Sequence, residues 1–172
     1  MKGEAVFFSL KGNNMTFGAS MDRDANRQII SEPLPFVAKK TMILAGGTTN
    51  DPGDFDGTGN PATLFTVTGD VLAYVFATCS VDLAGASATL EVGVTGSTAS
   101  IIAQTTATGI DAGMSWKDAT PAKVEALATS PYVIVGGADI IQTTGTANIT
   151  AGSLVYYCYW RPLSSDGNVV SA

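Results

Sequence analysis

The chain has 172 residues, 9 Lys plus Arg against 15 Asp plus Glu, no histidine, and a formal net charge of −6. That length suits one ordinary domain, and area scaling lets it bury roughly 70% of its extended-chain surface. Charged residues are only 14%, against about 25% in a typical soluble domain, while hydrophobic residues reach 45%, so part of the surface is expected to be hidden in an assembly.

Several function classes drop out at once. No run approaches the roughly 18 apolar residues of a membrane helix, so no membrane partner is expected. The opening Met1-Lys-Gly-Glu-Ala-Val-Phe-Phe-Ser-Leu10 is too short an apolar patch for a secretory signal and carries Glu4, so no export is expected. No Lys or Arg lies between Lys40 and Lys117, or between Lys123 and Arg161. Phosphate recognition needs clustered cations, and a nucleic-acid role is not expected. Without histidine, Ser-His-Asp and Cys-His catalysis and the commonest transition-metal ligand are gone. Gly46-Gly47 and Gly136-Gly137 follow strand-like runs but lack the later glycine, lysine and helix of a phosphate cradle. No cofactor and no enzymatic activity are expected.

Along the chain, residues 1–40 differ from the rest. Val6, Phe7, Phe8 and Leu10 are apolar, positions 21–28 concentrate charge, and Pro33 and Pro35 interrupt regular structure. This segment reads as an edge strand plus linker, or as an extended N-terminal arm that packs on a neighbouring subunit through Val6, Phe7 and Phe8. Residues 41–172 read as the main domain. Within it, Asp51, Asp54, Asp56 and Asn60 stand among glycines. Oxygen ligands on a loop suit Ca²⁺, but the spacing is not that of an EF-hand and the closing glutamate is missing, so the plain loop is the first reading and a cation site the second. Turn aspartates usually bond their own backbone, so these and Asp111 and Asp118 are weak candidates for acid–base work.

Short strands follow, punctuated by Gly, Thr and Asn. Residues 63–68 lead to a Gly69-Asp70 turn of the kind two-residue hairpins tolerate. From 71 to 83 the odd positions (Val71, Ala73, Val75, Ala77, Cys79, Val81, Leu83) are all apolar and predicted to face inward, and Ala88, Leu90, Val92 and Val94 repeat the pattern. Further strands are predicted at 100–105, 132–135, 139–143 and 153–161. The one helix candidate covers 121–128, with Thr120 to cap it, Pro121 in its first turn and Ser130-Pro131 to stop it. Cys79 and Cys158 lie in strand patterns and read as small buried hydrophobes, with a disulfide as the alternative.

The end of the domain echoes its middle. With Gly69 placed over Gly152, each read as a turn glycine before a strand, Thr68-Gly-Asp-Val-Leu-Ala-Tyr-Val-Phe76 matches Ala151-Gly-Ser-Leu-Val-Tyr-Tyr-Cys-Tyr159, and Leu154, Tyr156, Cys158 and Trp160 fall in the inward row. Tyr157 and Tyr159 then point outward. An outward tyrosine row reads as a subunit contact, or as a platform for stacking sugars. Together these patterns predict an all-β, antiparallel β-sandwich, jelly-roll-like, with at most one short helix.

Leu64-Phe-Thr-Val-Thr-Gly-Asp-Val71, Ala88-Thr-Leu-Glu-Val-Gly-Val94, Ile102-Ala-Gln-Thr-Thr-Ala-Thr108 with Ile110-Asp-Ala-Gly113, and Ile149-Thr-Ala-Gly-Ser153 through Tyr159-Trp-Arg-Pro-Leu-Ser-Ser-Asp-Gly167 resemble a family of tailed-bacteriophage virion proteins. The likeness covers about the last two-thirds of the chain and implies no catalytic or binding residue. It implies a non-enzymatic part of the virion, made in the host cytoplasm, without distinguishing head from tail; the place expected for it here is the capsid surface. The expected role is decoration or cementing of the capsid as a homo-oligomer, most simply a trimer, with the major capsid protein as partner. A head-fibre or tail receptor-binding module that grips a host glycan is the alternative.

Overall fold

The computed structural model describes residues 34, 36–47, 50–126 and 130–172. Its compact body is the unit Leu34–Ala172. Val6, Phe7 and Phe8, and with them the expected arm, lie outside the described residues.

The body is two packed antiparallel sheets. One contains β1 (Phe36–Ile43), β9 (Ala151–Pro162) and β3 (Val71–Ala84), with the short strands β6 (Ser115–Trp116) and β7 (Tyr132–Ile134) along the far side of β3. The other has the order β10-β2-β8-β4-β5: Asn168–Ser171, Ala62–Thr68, Ile140–Gly145, Thr89–Val94 and Ser97–Thr106. The pairings are nested. β4 pairs β5, β3 pairs β6 and β7, β2 pairs β8, and β1 pairs β9. The chain is therefore one long hairpin of strands rolled over on itself, the double Greek-key order of a jelly roll, with β10 added beside β2. The only helix among the described residues is a 3-10 turn at Ala107–Gly109, and no helix there is long and apolar enough to cross a membrane.

The two echoing strands are direct neighbours. Ala73 pairs Trp160, Val75 pairs Cys158, Ala77 pairs Tyr156 and Cys79 pairs Leu154, and all eight are buried. Ala73, Ala77 and Cys79 on β3 thus lie opposite larger residues on β9. Ala77 is flanked by Tyr156 on one side and Trp116 of β6 on the other, and its single methyl lets the two rings meet edge to face at 6.3 Å. Both rings also reach the opposite sheet. The Tyr156 hydroxyl donates to Gln142 Oε1 at 2.6 Å, and Trp116 Nε1 donates to Thr105 Oγ1 at 2.9 Å, every partner being buried. Cys79 and Cys158 are free thiols, four residues out of register across β3 and β9, too far apart to bridge. Burial pushes the Cys158 thiol up to about 12, which makes it inert at neutral pH.

Five expectations need correction. Val81 is 54% exposed, because β-bulges between Cys79 and Ala84 turn it out of the inward row. Gly69-Asp70 joins strands of different sheets, so it is a corner and not a hairpin turn. Asp70 ties that corner down: its carboxylate accepts from the Gly136 N–H, its N–H donates to Ser164 Oγ, and its carbonyl accepts from the Leu163 and Ser164 N–H groups. Gly152 is no turn glycine either. It sits within β9 at φ +132°, where a Cβ would run into Leu83 on the bulged part of β3. The boundary placed between 40 and 41 falls inside β1, which starts at Phe36. Finally, residues 121–126, the described part of the proposed helix, are not helical. The Ala122 backbone is paired with Ser115 instead, and Val124, whose side chain an amphipathic helix here would have buried, is 91% exposed.

Tyr156→Phe is expected to destabilise the fold by about 1–3 kcal/mol, since it strips a buried acceptor of its donor, and Tyr156→Phe with Gln142→Leu should recover much of that loss. Denaturant unfolding of the two variants against the parent chain checks this. Equal stability of the single variant and the parent would show that the bond does not matter.

Candidate interaction surface

The strand registers place five cross-strand rows on the outer face of the first sheet. Going across β3, β9 and β1 they run Leu72 and Arg161; Tyr74, Tyr159 and Val37; Phe76, Tyr157 and Lys39; Thr78, Val155 and Thr41; then Ser153 and Ile43. Val133 of β7 extends the first row. The two tyrosines singled out from sequence, Tyr157 and Tyr159, are at the centre of this face. Sequence reasoning missed their neighbours on β3. The signal was there: the even row of 71–83 begins with Leu72, Tyr74 and Phe76, so that half of the strand is apolar on both sides.

The rings form a connected cluster. Phe76 stacks on Tyr157 at 5.2 Å and 16° and on Tyr159 at 6.0 Å and 9°, and Tyr74 lies 6.0 Å from Phe76. Lys39 Nζ stands 5.6 Å from the Tyr157 ring centroid, within the range of cation–π attraction. Stacked rings turn their faces to one another rather than to a ligand lying on the sheet. Val37 and Ile43 add exposed aliphatic surface at 57% and 70%. Three strands about 4.8 Å apart and some eight residues long give the whole face a footprint of roughly 400 Å², of which the rings and aliphatic side chains take the central part, although Tyr74 itself is buried.

Charge is distributed unevenly. The rows contain Lys39 and Arg161 and no carboxylate, although the whole chain is at −6. The outer face of the second sheet is different in kind: it presents Thr66, Thr89, Glu91 and Thr143, and Gln104 Nε2 donates to the Glu91 carboxylate. The second face thus carries threonines and a paired charge and no ring, the first a cluster of rings.

The residues of the acidic loop are placed differently from the cation reading. Among the described residues, no group of three or more Asp, Glu, His or Cys could hold a metal ion. Asn60 is a splint: its Nδ2 donates to the Phe55 and Thr144 carbonyls, and its Oδ1 accepts from the Thr144 N–H. The Asp54 side chain is buried and its N–H donates to the Asp51 carbonyl. With the Phe55 N–H donating to Asn148 Oδ1 and the Ile149 N–H to the Gly53 carbonyl, the 50–60 loop closes the end of the sandwich. Asp56 is exposed on its surface.

A second charged constellation holds the segment after β6. Lys117 Nζ bridges Asp118 at 2.6 Å and Glu125 at 2.7 Å. The hydrogen bond from Lys117, helped by two from Thr120, lowers the Asp118 carboxyl to about 2. The same bonds to Asp118 and Glu125 raise Lys117 above its ordinary 10.5. These contacts explain why 117–126 is ordered without a helix, and nothing in them suggests chemistry. Comparison with protein-family models, with curated proteins and with solved structures returns no match to this chain.

Because the Asp118 carboxyl is depressed in the folded chain, its contribution is complete above its ordinary 3.8 and is lost as pH falls through about 2. Amide protection of residues 117–126, measured against the intrinsic exchange rate at each pH, should therefore fall between pH 4 and 2, and Asp118→Asn should remove that step. An unchanged profile in the variant would assign the transition to another group.

Proposed function

We propose that this chain is a non-enzymatic structural protein of a tailed-phage virion, which decorates or cements the capsid as a homo-oligomer, most simply a trimer. The observation that carries the reading is the ring-rich patch on the outer face of the first sheet, whose five rows contain no carboxylate on an otherwise acidic protein, Asp82 standing exposed beyond them near the end of β3. An extended surface of this kind suits contact with another protein. Interface cores are enriched in aromatic residues, as the Tyr159 and Tyr157 rows are, with Lys39 the one charge at their β1 end. The resemblance of the last two-thirds of the chain to tailed-phage virion proteins supplies the setting. A jelly roll is compatible with it, since viral capsid domains use that architecture, although fold alone does not assign function.

Cementing would work by mass action. A protein that binds the assembled shell in preference to loose subunits stabilises the shell by linkage. The acidic, lysine-poor body would be repelled by packaged DNA and tolerated on the outer surface. The alternative, a head-fibre or tail module recognising a host glycan, draws on the same tyrosines and on the lectins that share this architecture. It requires ring faces open to a sugar, whereas Phe76, Tyr157 and Tyr159 turn theirs to one another.

Light scattering at micromolar concentration is expected to give the mass of an oligomer, and Phe76→Ser with Tyr159→Ser should shift it toward the monomer. A monomeric parent chain would sink the homo-oligomer. Added to particles assembled without it, the parent chain should raise the temperature at which they open, and unchanged particles would count against cementing. Deleting residues 1–33, which leaves β1 intact, tests the arm. If the shortened chain associates as before, Val6, Phe7 and Phe8 are not the contact.

A further inference from the structure

At the end of the sandwich where β4 turns into β5, that hairpin and β7 border an apolar pit of about 240 Å³ that is open to solvent on one side. It belongs neither to the ring face nor to the acidic loop. Val94 and Ile101 of the second sheet, with Ile134 and Ala138 after the first, form apolar walls, and Ser100 and Tyr132 bring the hydroxyls. We propose that this pit is a binding site for an uncharged aromatic ring that carries one hydrogen-bond donor, a phenol or an indole.

Three observations converge on that class. An apolar cavity of about 150 Å³ holds benzene, so 240 Å³ has room for a ring with a substituent or a fused second ring. No lining side chain is charged, so an ion entering the pit would lose its hydration without gaining a partner. The hydroxyls set the polarity of the ligand. Ser100 donates its single hydrogen to the Ser97 carbonyl at 2.8 Å, and Tyr132 donates its own to the Ile101 carbonyl at 3.0 Å. With both hydrogens committed, these oxygens can only accept. A ring bearing O–H or N–H is matched, and a ring bearing only acceptors is not. The ring can arrive as a free small molecule or as a Tyr or Trp side chain of another protein. This inference is independent of the virion reading.

The test is a titration of the full-length ¹⁵N-labelled chain with phenol, anisole and N-acetyltyrosinamide, followed by amide shifts. Phenol should give saturable shifts confined to residues 94–101 and 132–138, with anisole, which has no donor, binding about 2- to 10-fold more weakly, the span of one net hydrogen bond. Binding of N-acetyltyrosinamide as well identifies a side chain as a fitting source, and exclusion of it identifies the free molecule. Ala138→Leu fills the pit and should abolish the shifts. Should that variant not fold, Ser100→Ala and Tyr132→Phe take its place, and at least one must bring the phenol-to-anisole ratio close to one. Absence of saturable shifts with phenol, equal affinity for phenol and anisole, or a ratio untouched by either hydroxyl variant would overturn the proposal.

Discussion

Two hydrogen bonds buried between the sheets, Tyr156 to Gln142 and Trp116 to Thr105, determine how one sheet lies on the other. Apolar burial drives the sheets together but has no direction, so it leaves small slides of one layer over the other nearly equal in energy. A hydrogen bond without water nearby has both direction and a large cost when broken. Tyr156 and Trp116 stand on either side of Ala77, so together they hold the middle of β3 as well as β9 and β6. With Tyr156 pinned inward, strand alternation leaves Tyr157 and its neighbours no choice but to face out. The ring-rich surface is in this sense a by-product of the core.

That surface is where the molecule departs from an ordinary sandwich. A sheet with one wet face normally alternates apolar and polar residues, as the second sheet does. In the first, β3 and β9 are apolar on both sides over much of their length, a pattern otherwise found in strands covered on both faces. The rings reduce the cost of exposure by stacking on one another, and Lys39 lies against one of them. Lys40, next in sequence, extends along the edge and donates to the backbone oxygen of Ala172. The two lysines also protect the exposed edge of β1 from pairing with another strand.

The fold was legible wherever a strand was long and one-sided. The odd row of β3, the even row of β9 and the pattern of β4 could be read from alternation because one face of each is continuous core. β1 was obscured because its inward row is Phe36, Ala38, Lys40 and Met42: a lysine at the rim interrupts an apolar series without interrupting the strand. β6 and β10 are too short to show a period. The helix expected at 121–128 followed local propensity, and the pairing of Ala122 with Ser115 and of Lys117 with Glu125 overrode it. Of the contact surface, Tyr157 and Tyr159 were legible from their own strand. Phe76 and Tyr74 were legible as an outward row but not as neighbours of the tyrosines, since only the pairing of β3 with β9, strands more than sixty positions apart, brings the four rings together. No local pattern carries that register.

The nested order of strands has a consequence for how the molecule comes into being. β9 lies between β1 and β3, and β8 lies between β2 and β4. A ribosome makes the chain from its N-terminal end, so β1, β2, β3 and β4 all emerge before either strand that separates them exists. Neither sheet can be completed until residue 162 has been added, and the last closures span more than a hundred residues, contacts that form slowly. During synthesis the early strands are a set of alternating ribbons with both edges open, the state most exposed to pairing with the wrong neighbour. The body is therefore built to fold late, once β9 has been made, and its yield depends on what shields those ribbons while they wait.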